Sequence, residues 1–392
     1  MIRRAATTAA LVALAACGGG GGDPDAHVEL GRMTVTGSVS YEDRAPQASG
    51  SLGAPVPKVA RNVTVALVTL SGDTIGSSVT AEDGTFTIES TVDVAYGDSV
   101  HILAATTSND ATRPVEVVRP DGNIHGFGGA GFEAAVSANT DLLVSETSGE
   151  AGAFNVYDTL LEAVDRVAAL GLTPEPLSAV WLRGNQNGTY YSSGENTMYL
   201  LGGTGAGAGD DDGYDDLVIL HEAGHYIEYT HGRSDSPGGN HGGEPVDPNL
   251  AWSEGFSTYF ALAVTNAPIY IDTASPGGWS YNSDTSTTVA TGSGMGQDLS
   301  EDLVSEVLWD LGDAGGDDDP FVGDHGPVLL VQPEYLRTGA LRGGNEPGVD
   351  LVDFLDGFFV ADGLTHCAAV RAIVTTTRGF PYDYNGPGGS CP

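Results

Sequence analysis

The chain has 392 residues, enough for two or three domains at the usual ~100–200 residues each. Its 15 basic and 53 acidic residues give a formal net charge of −38, and Lys58 is the single lysine. That balance argues against nucleic acid as a partner, because a polyphosphate is bound by clustered Lys and Arg, and it leaves carboxylates to keep the surface solvated.

The first predicted feature, "MIRRAATTAALVALAAC", has two arginines, a short alanine-rich apolar run and small residues before Cys17. It resembles a bacterial lipoprotein signal, with "LAAC" similar to a lipobox. The resemblance implies a signal peptide over 1–16, cleavage before Cys17, lipidation of its thiol, and an exported protein held by acyl chains at the outer membrane or cell surface. Residues 17–31, beginning "CGGGGGDPD", then read as a flexible tether. An ordinary secretory signal with a coincidental cysteine is the alternative. The apolar run is shorter than the ~20 residues a bilayer requires. Export would leave Cys367 and Cys391 in an oxidising compartment, where we expect them to pair, the alternative being two free thiols.

Residues 32–138 read as short strands rich in Val, Thr and Ile: "RMTVTGSVSY", "RNVTVALVTL", "DTIGSSVTA", "TFTIEST", "SVHILAATT", "RPVEVVR" and "FEAAVSA". Strands at this spacing predict a β-sandwich, with Asp83-Gly84 as a tight hairpin turn. The order "VTGSVSYED…NVTVALVTLSGDTIGSSVTAEDGTFTI" resembles the carboxypeptidase regulatory-like modules, which are transthyretin-like sandwiches. That resemblance implies a module accompanying a catalytic domain without supplying its chemistry.

From residue 139 to 392 the pattern changes, so the fold class expected is multidomain, an all-β sandwich followed by an α+β domain. "FNVYDTLLEAVDRVAALG" has helical spacing, with Gly171 as its C-cap. "LSAVWLRG" and "NTMYLLGG" read as strands, the second as an edge strand. "TGAGAGDDDGYDD" leads into the next helix, which Asp215 or Asp216 can cap. This run and "GDAGGDDDPF" carry enough carboxylates for a possible calcium ion (Ca2+). Neither has the spacing of an EF-hand loop, and each reads first as a solvated acidic loop.

"VILHEAGHYIEYTHG", residues 218–232, holds the densest chemistry in the chain. His221 and His225 lie one turn apart on one helix face, so both imidazoles can reach one ion. Glu222 completes HExxH, the arrangement in which a carboxylate projects toward a zinc-bound water and acts as its general base. A catalytic zinc (Zn2+) takes three protein ligands, so a third donor is needed. His231 is six residues past His225, the metzincin spacing. The helix would have to break at Glu228, a good helix former; unbroken, it carries His231 about 9 Å along the axis and about 120° around. Glu254, in "NLAWSEGFSTYFALAV", is the other candidate and His241 a third.

His221, Glu222, His225 and Glu254 together resemble the gluzincins, the superfamily of thermolysin and the aminopeptidases. The resemblance implies a zincin-like domain, Glu254 as third ligand at the start of its helix, and hydrolysis of peptide bonds in a peptide or protein substrate. Two departures stand out. The spacer to Glu254 contains the Gly- and Pro-rich "HGRSDSPGGNHGGEPVDP", and Thr258 occupies the place where these enzymes often have an aspartate bonded to a zinc histidine. The family's oxyanion-stabilising Tyr or His has three candidates here, Tyr281, His325 and Tyr335. "SEDLVSEVLWDLGD" has a core stripe of Leu303, Val307, Leu308 and Leu311, with Glu306 left open as a cleft residue. The rival reading is a surface-anchored binding protein with a non-catalytic zincin scaffold.

Overall fold

The computed structural model describes residues 29–203, 209–313, 315, 321–338, 341–342 and 348–392. The signal, Cys17 and most of the tether lie outside the described residues, as do 204–208 and 316–320 of the two acidic runs. The chain forms two units. The first comprises the chain up to Tyr41, Pro57–Asn109 and Gly126–Val144; the second comprises Glu42–Val56, Asp110–His125 and Ser145–Pro392. Two stretches inside the expected sandwich region, 42–56 and 110–125, therefore cluster with the second unit.

In chain order the first strands are β1 (Thr34–Asp43), β2 (Thr64–Thr69), β3 (Thr74–Val79), β4 (Thr85–Glu89), β5 (Ser99–Ala105), β6 (Val115–Val118), β7 (Gly126–Gly128), β8 (Ser137–Asn139) and β9 (Leu142–Val144). In the first unit, one antiparallel sheet has the order β7-β5-β2-β3. In a second sheet β1 pairs parallel with β8 and β9 and antiparallel with β4. Alternation sends Val35 and Val39 of β1, Val65 and Leu67 of β2, and Val100 and Ile102 of β5 into the core. Each such side chain contributes about 1.5–3 kcal/mol when fully buried. The Asp83-Gly84 turn forms, with Gly84 at φ +76° and Asp83 Oδ1 accepting the Thr85 N–H and hydroxyl. It is not a hairpin: β3 pairs with β2 whereas β4 pairs with β1, so the turn carries the chain between partners.

The strand "RPVEVVR" is also placed differently. As β6 it runs parallel to β10 (Leu177–Val180) in the second unit, because its pattern declares a strand without declaring a partner. That sheet has the order β6-β10-β12-β11, with β11 (Tyr190–Ser192) antiparallel to β12 (Thr197–Tyr199). β12, "TMY", is consequently not the edge; the short polar strand β11 covers it.

Among the described residues seven α-helices follow from residue 151: α1 (Ala151–Ala169), α2 (Asp216–Thr230), α3 (Pro248–Thr265), α4 (Glu301–Gly312), α5 (His325–Val331), α6 (Leu351–Asp362) and α7 (Cys367–Arg371). Among the described residues none is long and apolar enough to cross a membrane. α1 ends at Gly171, φ +79°, whose N–H bonds the Ala168 carbonyl. It packs on α2, α2 on α3 and α3 on α4. The last two contacts are unusually close. A Cβ on Gly224 would stand 2.5 Å from Ser257 Cα, and one on Gly255 2.5 Å from Val304 Cβ. α3 starts earlier than the sequence suggested: Asp247 caps it by accepting the Asn249 N–H, Pro248 opens it, and Glu254 falls in the second turn. On α4, Glu306 and Asp310 are buried and both meet Arg378, itself 3% exposed, the second at 2.7 Å. Cys367 and Cys391 are joined by a disulfide.

Candidate metal centre

α2 and α3 bring three donors to one point. His221 Nε2 is 3.2 Å and His225 Nε2 3.3 Å from Glu254 Oε2, and the three residues' ligand atoms all lie within 4.8 Å of one another. Four ligands at about 2.0–2.1 Å around a tetrahedral ion are separated by about 3.3 Å, a spacing these two edges match. Gly224 is what permits this approach, since any side chain there would force α3, and Glu254 with it, away from the histidines.

The outer nitrogens of both rings are held. Thr258 Oγ1 lies 3.0 Å from His221 Nδ1. His225 Nδ1 meets Ser257 Oγ at 3.0 Å, Ser253 Oγ at 3.2 Å and Glu228 Oε2 at 3.4 Å. Glu228 is wholly buried and accepts the Ser253 hydroxyl at 2.5 Å. A carboxylate behind a ligand histidine orients the ring and raises its basicity. Sequence reasoning missed Glu228 in this part, although its position three residues after His225 on the same helix was a usable signal. Burial disfavours charge on His225, yet the carboxylates of Glu254, Glu228 and Glu222 outweigh it and raise its pKa well above the usual value. Burial likewise pushes Glu254 up, and the two histidines more than reverse it, leaving this carboxyl well below its usual range. The donor set demands positive charge at its centre.

Glu222 is buried, which raises its pKa, and its Oε2 makes no hydrogen bond within the protein. It lines, with the three donors, a cleft of about 680 Å³. Tyr190 and Tyr191 of β11 form part of one wall, and Tyr270 and Trp279, whose ring centroids are 5.6 Å apart, belong to the lining too. The Gly- and Pro-rich spacer is also present through Pro237, Gly238 and His241. His241 Nε2 lies 3.7 Å from Glu254 Oε2, and Glu301 Oε2, 2.9 Å from its Nδ1, raises its pKa.

Other candidates sit elsewhere. α2 runs unbroken through Glu228, and His231 is the residue after its end, its ring 6.2 Å from that of Tyr226 and its Nε2 without a hydrogen bond. Tyr281 donates to Glu306 Oε1 at 2.7 Å. His325 is buried against Tyr259, 3.0 Å from its hydroxyl. Neither these two nor Tyr335 lines the cleft, and Glu306 does not either. Asp215 stands at the start of α2 without capping it; its Oδ2 instead accepts the N–H and hydroxyl of Thr273, at 2.8 and 2.9 Å. Nor is the first acidic run solvated, since Asp211, Asp212 and Asp215 are all buried.

No protein-family model matches this chain, and no curated protein does. Among solved structures, 37% of the chain is similar to 25% of a 9R-lipoxygenase from Cyanothece PCC8801, at 12% identity and a TM-score of 0.17. A likeness of that size bears on neither fold nor function.

Proposed function

We propose that this chain is an exported, lipid-anchored zinc metallopeptidase of gluzincin type, with the second unit as its catalytic domain and the first as a transthyretin-like accompanying module. The observation that carries the reading is the meeting of two imidazoles and a carboxylate at 3.2–3.3 Å beside Glu222, a buried carboxylate with an unpartnered oxygen. His221, His225 and Glu254 would hold the zinc. When bound, zinc supplies Lewis acidity toward the scissile carbonyl and the attacking water. Glu222 takes the water's proton and returns it to the leaving amine; its raised pKa suits a group that must accept and then give up a proton. His241, whose pKa the hydrogen bond to Glu301 raises, is available to the oxygen on which negative charge develops. β11 offers an extended peptide a strand to pair with.

Glu222→Gln tests the mechanism. The variant should keep about one zinc per chain and lose peptide hydrolysis by a factor on the order of a hundred or more. Near-normal turnover would put the base elsewhere, and stoichiometric zinc in a wild-type protein that cleaves nothing in a peptide library would favour the binding-protein reading. Anchoring is tested by intact mass: acyl chains on Cys17 are expected, and an unmodified N-terminus downstream of it would end that part of the proposal.

A further inference from the structure

The run leading into α2 contains five aspartates, and the structure gives them different fates. Asp216 Oδ1 accepts from Asn155 Nδ2 and Thr159 Oγ1, at 2.8 and 2.9 Å. Asp211 Oδ1 accepts the Gly213 N–H. The remaining three, Asp210, Asp212 and Asp215, turn one carboxylate oxygen each toward a common point, all within 4.8 Å of one another. They come from three successive pieces of chain: the end of β13 (Gly209–Asp210), a single 3₁₀ turn (Asp212–Tyr214) and the residue before α2.

Two features set this group apart from an ordinary acidic loop. Asp212 is 2% exposed and Asp215 0%, so these carboxylates are withdrawn from water. Their oxygens are also incompletely used. Asp215 Oδ2 is taken by Thr273, and Asp212 Oδ2 accepts the Leu201 N–H at 3.1 Å and the Thr189 hydroxyl. Asp215 Oδ1 and Asp210 Oδ1 are buried with no hydrogen bond within the protein. The strongest influences on the three carboxyls are burial, one another, Asp272 and neutral donors, with no cationic side chain among them. Carboxylates so placed need either protons or a metal cation.

We infer that Asp210, Asp212 and Asp215 bind a calcium ion. The donor set is all oxygen, without His or Cys, which selects a hard cation. Calcium takes six to eight oxygens at about 2.3–2.6 Å in irregular geometry, so two of its ligands can stand up to about 5 Å apart, and water fills the positions left over. The ion adds a common tie to parts of the second unit that already meet through a few hydrogen bonds. These are β13, paired with β14 (Ala274–Ser275), the Thr189 and Leu201 backbone region, and the start of α2. Asp215 precedes His221 by under two turns of chain, and Asp210 and Asp212 line the cleft. Calcium thus fixes the N-terminal end of the helix that bears the two histidines. This inference stands independently of the peptidase reading.

Calorimetric titration of the full-length protein, stripped of divalent ions and held at pH 7.5, tests it together with the thermal midpoint. One saturable calcium per chain and a rise in midpoint of roughly several degrees are expected, with magnesium at equal ionic strength giving much less. Asp212→Asn and the milder Asp210→Asn, at a half-buried position that tolerates the change in a folded protein, should abolish both responses. Glu254→Ala should leave the calcium titration unchanged while altering zinc content, which separates the two sites. The inference is overturned by a wild-type protein without saturable calcium uptake, by an Asp210→Asn protein that responds like wild type, or by an equal response to magnesium, which would mean screening of the −38 charge only.

Discussion

Removing Glu254 should weaken zinc binding at the proposed centre, and removing His231 should not. Glu254→Ala takes away one of three protein donors, the one within 3.2–3.3 Å of both imidazoles. Protein zinc sites with four ligands bind with about 10–16 kcal/mol, so one ligand is worth about 3–4 kcal/mol, or roughly a hundred- to a thousandfold in affinity. His241 Nε2, 3.7 Å from the lost oxygen, can recover part of this, which places the expected loss near a hundredfold. His231 has no such role open to it, because α2 continues to Thr230 and carries it away from the His221 and His225 face. Its replacement by Ala should cost about 1–2 kcal/mol of stability for a buried side chain and leave zinc affinity within about twofold. The assay is competition against a chromophoric chelator, with circular dichroism to show that each variant is folded. A folded His231→Ala protein that loses zinc while Glu254→Ala retains it would refute the donor assignment.

Thr258→Val should weaken zinc about ten- to a hundredfold by stripping His221 Nδ1 of its 3.0 Å partner; unchanged affinity by the same competition assay would mean the hydroxyl does not orient that ring. A pH dependence of stability follows from acids that do not line the cleft: burial pushes Asp350 up to about 7, and Asp302 and Asp353 to about 6. A folded-state pKa above the unfolded value of about 3.9 means the native protein binds those protons more tightly, so stability falls as pH rises from about 4 to 7. The thermal midpoint at pH 5 should exceed that at pH 8, and the opposite order would show that these carboxyls are ionised when buried.

What could be read from the sequence was whatever depends on near neighbours along the chain. The period of "FNVYDTLLEAVDRVAALG" and the glycine after it mark α1, and Glu228 is reason enough for α2 not to break. Partnerships across the chain were another matter. Nothing local says that "RPVEVVR" pairs with Leu177–Val180, that Asp215 prefers Thr273 to the end of its own helix, or that Tyr281 is committed to Glu306. β11 escaped notice because three residues, two of them tyrosine, are too few to show a period. The cleft's tyrosines and the burial of the acidic run are products of folding on a scale that spacing does not encode. Thr258, one turn after Glu254, was visible in the sequence, and its contact with His221 needed the helix pair to be seen.

Arg378 has a consequence for the order in which this domain can be completed. α4 packs against α3, the helix that bears Glu254, and its buried Glu306 and Asp310 are both met by this one guanidinium from far along the chain. Taking that guanidinium away from two buried carboxylates costs several kcal/mol even with Tyr281 and Thr288 still donating to Glu306, so α4 sits less firmly until Arg378 has arrived. A chain not yet complete as far as Arg378 therefore carries α2 before α4 is fully backed behind the helix that bears Glu254. Under the proposed zinc assignment, a protein clipped upstream of Arg378 should hold the metal more weakly while keeping His221, His225 and Glu254.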